Sequence, residues 1–198
     1  MILSDAKIKL ERDRGNILIE PWDDECLGSN SYDVHLSPHF MVYDTGYSYN
    51  GGLPMRGINP RPIDARLENK THEFDLDEGG LELVPNTLYL STIIEYTETR
   101  EFVPFIDGKS SVGRLGIFIH CTAGRGDAGF FNHFTLEISC VQPVVVYPGM
   151  PIGQLYYFAI EGNVDQPYDK KPSAKYNGRD PKPQASRMWR NYKNGKWT

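Results

Sequence analysis

Residues 107–116, Asp-Gly-Lys-Ser-Ser-Val-Gly-Arg-Leu-Gly, combine side chains suited to holding phosphate. Hydroxyl, ammonium, guanidinium and backbone N–H groups in a glycine-rich run can all donate to phosphate oxygens. The side-chain donors are Lys109, Ser110, Ser111 and Arg114. Because the lysine precedes the serines, the run lacks the spacing of the nucleotide-binding P-loop. Two interpretations stay open, a phosphate cradle and a plain turn between strands.

A second candidate is Glu137, a carboxylate in the run 134–139 that alternates with the apolar residues Phe134, Leu136 and Ile138. If this run is a strand, alternation places Glu137 opposite Leu136 and Ile138 and on the same face as Thr135. One interpretation is a glutamate that faces solvent. The other is a general acid/base that takes a proton from water and then returns it.

The final 38 residues, 161–198, are polar, basic and aromatic, with little apolar periodicity. Such a segment is often a frayed terminus. Its cations and tyrosines also suit a tail that becomes ordered on binding and closes over an anionic ligand.

The remaining sequence predicts a mostly β protein that positions these groups. Ser4 as an N-cap, apolar residues at helical spacing and Gly15 predict one short helix near the N-terminus. Short alternating or apolar runs then predict strands in a sandwich or barrel. They lie at 17–20, 31–36, 73–76, 80–83, 88–96, 102–106, 117–120, 134–139, 144–147 and 153–158. Residues 44–72, rich in Gly, Pro and Asn, predict a surface excursion within a single domain over 1–160.

Composition and charge limit the classes of function. A net charge of −5 disfavours a nucleic-acid binder that acts independently of sequence, although a nucleotide needs only local cations. No apolar run approaches a membrane span and no signal peptide is visible, so we expect a cytoplasmic protein. Cys26, Cys121 and Cys140 are widely spaced, and we expect them to be reduced, buried thiols.

Several segments together resemble the dCTP deaminases, relatives of the dUTPases, in order and spacing along most of the chain. These segments are 28–36, 108–116, 120–129, 135–137, 148–155 and 174–176. The resemblance implies a dUTPase-like distorted β-barrel or jelly roll that forms a homotrimer with active sites between subunits. It also implies hydrolytic deamination of dCTP to dUTP and ammonia, which supplies dUMP for thymidylate synthesis.

The resemblance also implies roles for individual residues. Glu137 would activate the water that attacks C4 of cytosine, without zinc. The implied catalytic set is Glu137, Ser110, Arg114 and Ala123. The implied substrate-binding residues are Lys109, Ser110, Ser111, Val112, Gly113, Arg114, Thr122, Arg125, Asp127, Thr135, Leu136, Tyr168, Lys175 and Arg179.

One tail position departs from the family pattern. Arg179 stands where the family has a glutamine four residues after the lysine, unless Gln184 supplies that group. Mg²⁺ is expected only as the partner of the triphosphate, because no carboxylate cluster indicates a metal held by the protein. A role for dTTP as a regulator stays open.

Three alternatives are weaker. A dUTP diphosphatase, or a deaminase coupled to it that forms dUMP and pyrophosphate, would match Gly124 and Asp127 but not Phe130 and Asn132. Arg125 resembles the basic residue of single-function deaminases, which favours dUTP as the product. A zinc deaminase would need His-x-Glu and Pro-Cys-x-x-Cys motifs, which are absent from the sequence. A non-catalytic nucleotide-binding regulator would have no need of Glu137.

Overall fold

A computed structural model describes residues 1–45 and 62–198 fully, and between them only the backbone of 48–50 and 53–55. The helices are α1 (Asp5–Asp13) and α2 (Ser110–Gly113), with 3-10 turns at Asp24–Cys26, Tyr168–Lys170 and Met188–Asn191. The first eight strands are β1 (Ile17–Glu20), β2 (Tyr32–Tyr43), β3 (Ser48–Asn50), β4 (Leu53–Met55), β5 (Thr71–Asp75), β6 (Leu81–Leu83), β7 (Tyr89–Ile93) and β8 (Tyr96–Thr99). The others are β9 (Phe102–Gly108), β10 (Ile117–Phe118), β11 (Phe131–Asn132), β12 (Thr135–Cys140), β13 (Val144–Val146), β14 (Pro151–Ala159), β15 (Tyr192–Lys193) and β16 (Lys196–Trp197).

The predicted mostly β fold class is confirmed. The main sheet has the order β10-β12-β7-β2-β14-β9, and β5 also pairs with the second half of β2. A second sheet has the order β1-β8-β11. The long β2 strand pairs with β14 near its start and with β7 farther along, with a register shift between Leu36 and Phe40. This shift lets one strand belong to two parts of a strongly curved sheet.

The predicted N-terminal helix is confirmed as α1. The Ser4 side chain accepts a hydrogen bond from the Lys7 backbone N–H, and Gly15, at φ +75°, follows the helix. Ile8 on its inner face is fully buried in the core. The core continues through the inward residues of β2, β12 and β14, including Val34, Leu136 and Leu155. Its apolar burial supplies the main driving force for folding.

Two local features differ from what the sequence predicted. The predicted strand 88–96 is divided into β7 and β8, because Glu95 at the break is buried and binds His35 instead. Its carboxylate accepts the His35 backbone N–H at 3.0 Å and lies 2.6 Å from His35 Nδ1. Residues 110–113, for which a turn was one interpretation, form the short helix α2. Sequence alternation gives no sign of either feature.

The expectation of three buried thiols is also wrong in part. Cys140 is buried, whereas Cys26 is half-buried and Cys121 is exposed. Of the predicted excursion at 44–72, residues 46–47, 51–52 and 56–61 lie outside the described residues. No described helix has the length and apolar character needed to cross a membrane.

Glu11 provides a test of how α1 is held to the fold. Its carboxylate is almost fully buried and accepts hydrogen bonds from Lys7 Nζ at 2.6 Å, Arg14 Nη1 at 3.0 Å and Asn16 Nδ2 at 2.7 Å. The hydrogen bond from Lys7, followed by that from Asn16, holds the pKa of Glu11 below its ordinary value of 4.5. The ionised form is therefore stabilised by folding.

We expect Glu11→Gln to lower the free energy of unfolding at pH 7 by about 1–3 kcal/mol, because a buried charged acceptor is lost. Because the pKa of Glu11 is lower in the folded state than its ordinary value of 4.5, the ionised carboxylate stabilises the fold above pH 4.5. This stabilisation is lost as the pH falls through the folded-state pKa. The variant should therefore lose less stability than the parent between about pH 5 and 3. Denaturant titrations across this range measure the difference. The exposed Glu25→Gln is the matched control, and an equal pH dependence in parent and Glu11→Gln would contradict the account.

Candidate active site

A cavity of about 610 Å³ lies beside β7 and β12 and is bordered by the C-terminal segment. Most of its lining residues come from β2, β7, β12, the loop 121–127 and the tail. They are Tyr43, Leu88, Leu90, Cys121, Thr122, Ala123, Arg125, Gly126, Asp127, Phe130, Asn132, His133, Phe134, Thr135, Glu137, Tyr168, Tyr176, Gln184 and Ser186. Its size is in the range of small-ligand sites.

Glu137 projects from the middle of β12 into this cavity. As alternation predicted, Leu136 and Ile138 are fully buried on the opposite face while Thr135 and Glu137 line the cavity. One carboxylate oxygen, Oε2, accepts the Cys121 backbone N–H at 2.9 Å. The bond fixes the carboxylate against the loop that carries Thr122 and Ala123.

The loop 121–127 is held against β9 by backbone pairing. The Ile106 N–H donates to the Gly124 carbonyl at 2.7 Å, and the Gly126 N–H donates to the Pro104 carbonyl at 2.8 Å. A Cβ at residue 124 would lie 2.5 Å from the Ile106 carbonyl oxygen, so only glycine allows this approach. The constraint places Ala123 and Arg125 at the cavity.

Asp127 and Phe130 occupy another wall of the cavity. Lys171 Nζ lies 3.9 Å from the Asp127 carboxylate, which brings a cation of the tail beside it. The Phe130 ring packs on the Phe134 ring with centroids 4.8 Å apart. The centroid of the Tyr168 ring lies 6.2 Å from that of Phe130. This wall therefore joins an acidic group to an aromatic surface.

The tail runs along the β domain through specific hydrogen bonds. Asn132 Nδ2 donates to the Tyr176 carbonyl at 2.7 Å, and the buried Thr92 hydroxyl donates to the Pro181 carbonyl at 2.6 Å. Farther on, the Gln184 N–H donates to Thr135 Oγ1 at 3.2 Å. These bonds bring the tail residues Tyr176 and Gln184 to the cavity that contains Glu137.

Two other predicted tail residues lie outside this cavity. Arg179 packs over the Tyr96 ring at 4.2 Å and forms an ion pair with Glu20. Lys175 borders a separate depression near Trp189. Of the two candidates for the tail glutamine of the family, Gln184 lines the cavity and Arg179 does not.

The predicted phosphate-binding residues 109–114 do not line the Glu137 cavity of the same chain. Lys109 forms an ion pair with Asp33, whose other carboxylate oxygen accepts Gln154 Nε2 at 2.9 Å. The Val112 side chain is buried in the core, so only its backbone can meet a ligand. The remaining members of this group, Ser110, Ser111, Gly113 and Arg114, are exposed.

The sequence did not single out Tyr43, Tyr176 and Ser186 as site residues. The predicted strand ended at Leu36, whereas β2 continues to Tyr43 and brings that phenol to the cavity. Burial raises the pKa of the Tyr43 hydroxyl, which accepts the Ser186 N–H at 2.8 Å. The side chain of Leu136, predicted to bind substrate, faces the core, which leaves only its backbone for a ligand.

No three His, Cys, Asp or Glu side chains of 1–45 and 62–198 converge closely enough to hold an ion. The prediction of Mg²⁺ bound through the triphosphate does not depend on such a cluster and stays a prediction.

A family model described as dCTP deaminase-like matches residues 2–160. The chain belongs to this dCTP deaminase-like family. The resemblance inferred from the sequence motifs is therefore confirmed.

Relatives of this family match nearly the whole chain. A dCTP deaminase described as dUMP-forming, from Hathewaya histolytica, is 44% identical over 176 residues, covering 89% of this chain and 91% of the relative. Another with the same description, from Cytophaga hutchinsonii, is 42% identical with 89% and 90% coverage. A solved dCTP deaminase from Agrobacterium tumefaciens has a TM-score of 0.57 and 25% identity, and the match covers 79% of this chain but 47% of that one.

Proposed function

We propose that this chain deaminates dCTP hydrolytically and hydrolyses the resulting triphosphate, so that dUMP, ammonia and pyrophosphate are the products. The observation that carries the proposal is the Glu137 carboxylate in a cavity of nucleoside size, on a chain of the dCTP deaminase-like family. The two reactions together consume two waters.

The sequence motifs favoured dUTP as the end product, and the relatives favour dUMP. Arg125 favoured dUTP, whereas the relatives from H. histolytica and C. hutchinsonii are both described as dUMP-forming. Over the 176 aligned residues they are 44% and 42% identical to this chain. The argument for dUTP depends only on a few positions, Arg125, Phe130 and Asn132. We therefore place dUMP first and keep dUTP as the alternative end product.

The proposed chemistry assigns both proton transfers to Glu137. Its carboxylate takes a proton from the water that adds to C4 of cytosine, and then gives a proton to the departing amine, which leaves as ammonia. The Cys121 N–H on Oε2 fixes the group, and the Ala123 loop lies beside it. Asp127 on the adjacent wall is suited to the deoxyribose hydroxyl. Hydrolysis of dUTP then releases pyrophosphate.

A second copy of the chain supplies the phosphate-binding residues in this proposal. Residues 109–114 lie outside the cavity of their own chain, although their donors suit a triphosphate. Beside α2, the apolar side chains of Leu115, Phe118 and Val141 are 45%, 56% and 65% exposed. A patch of this kind is typical of a contact between proteins. A homotrimer with sites between subunits accounts for both observations.

Other elements of the proposal stay predictions. They are Mg²⁺ bound by the triphosphate, dTTP as a regulator, a cytoplasmic location and a tail that closes on ligand.

The test is incubation of the full chain with dCTP and Mg²⁺, with dCTP, dUTP, dUMP, pyrophosphate and ammonia resolved over time. Equal amounts of ammonia, dUMP and pyrophosphate are expected. Ammonia with dUTP alone would establish the simple deaminase. Cleavage of added dUTP without turnover of dCTP would overturn deamination.

A further inference from the structure

A buried polar atom of the cavity has no hydrogen-bond partner in the part of the chain that the structure describes. The amide oxygen of Gln184, Oε1, is buried and accepts no hydrogen bond from any described residue. A buried acceptor left unpaired costs about 1–3 kcal/mol once a ligand excludes water from it. The position therefore favours a ligand that brings a donor to this oxygen.

The backbone of Gln184 is anchored close to the acid/base. Its N–H donates to Thr135 Oγ1, and Thr135 lies two residues before Glu137 on the same face of β12. Side chains two apart on one strand face are neighbours. Gln184 and Glu137 consequently lie beside the same part of a bound ligand.

Two acceptors near Gln184 are already occupied by backbone N–H groups. Glu137 Oε2 already accepts the Cys121 N–H, and the Tyr43 hydroxyl oxygen already accepts the Ser186 N–H. A bound cytosine offers one strong donor at its reacting end, the amino group on C4. C4 is also the carbon to which the water activated by Glu137 must add.

We propose that the Gln184 amide oxygen accepts a hydrogen bond from the amino group of the cytosine ring and so recognises the group that the reaction removes. This inference rests on the proposed function. It assigns to the tail a contact with the base, and not with phosphate. An amide can rotate to donate to a carbonyl, so Gln184 also tolerates the uracil ring formed by deamination. Uracil nucleotides are therefore poor probes of this contact.

The experiment compares two ligands in a background that does not turn over. Glu137→Gln is the parent, and the ligands are dCTP and the 2-pyrimidinone deoxynucleoside triphosphate, which has hydrogen in place of the amino group. Binding of each is measured by calorimetry with and without Gln184→Met, a substitution of similar size that lacks the acceptor. Lys182→Met is the matched control, because Lys182 is an exposed tail residue outside the cavity that pairs with Glu73.

We expect Gln184→Met to weaken dCTP binding about tenfold and to leave the analogue within about twofold, since one hydrogen bond of about 1.4 kcal/mol corresponds to a factor of ten. Lys182→Met should change the affinity for dCTP and the affinity for the analogue by less than about twofold each. Equal losses for both ligands would show that Gln184 only docks the tail, and no loss would show that it is not used; either result overturns the inference alone. Unmodified protein that neither binds nor turns over dCTP would overturn the proposed function as well.

Discussion

Glu137→Gln should lower the rate of ammonia release from dCTP by at least about 10³-fold, while dCTP affinity changes by less than about tenfold. The amide keeps the shape of the carboxylate and can still accept the Cys121 N–H, so the loop 121–127 should stay in place. It cannot take a proton from water and return it. The loss should therefore fall on kcat and not on binding.

Steady-state kinetics and calorimetry on the same preparations separate these two quantities. Glu82→Gln is the matched control, because Glu82 is exposed on β6 and lies outside the cavity. A folded Glu137→Gln protein that releases ammonia at more than about a tenth of the parent rate would contradict the assigned role. Loss of dCTP binding of a hundredfold or more would indicate that Glu137 holds the ligand.

Mixing two inactive variants should restore activity if residues of two copies form each site. Glu137→Gln removes the acid/base, and Arg114→Ala removes an exposed guanidinium that suits phosphate. We expect each variant alone to fall by about a hundredfold or more. In mixed trimers formed at equal ratio, about one site in four would combine Glu137 of one copy with Arg114 of another.

The activity of the co-refolded mixture should therefore approach about a quarter of the parent value. Each variant refolded alone at the same total concentration is the control. A mixture no more active than the mean of the two separate preparations would show that both residues act within one chain. Light scattering on the parent checks independently that the protein is an assembly.

The fold was predictable where local patterns determine it. Ser4 and Gly15 mark the two ends of α1. Alternation in 134–139 identified β12 and the face of this strand on which Glu137 lies. The division of 88–96 was not predictable, because it depends on the buried Glu95 binding His35, 60 positions away in sequence. Pairing over such a distance leaves no periodic signal in either segment.

The candidate site was predictable to a similar extent. Motif resemblance indicated the loop 121–127 and Glu137, which the cavity brings together with Thr135 and Tyr168. Tyr43 and Ser186 were missed, because their places depend on the length of β2 and the path of the tail. Arg179 was assigned by its spacing from the tail lysine, whereas in the structure it lies over Tyr96, outside the cavity.

The most direct test of the account is a crystal structure of the Glu137→Gln protein with dCTP and Mg²⁺. We expect C4 of cytosine to face residue 137, with the ring in the cavity beside Thr135 and the triphosphate on residues 109–114 of a second copy. A base bound outside this cavity, or a triphosphate held only by groups of the same chain, would contradict the composite site on which the proposed reaction depends.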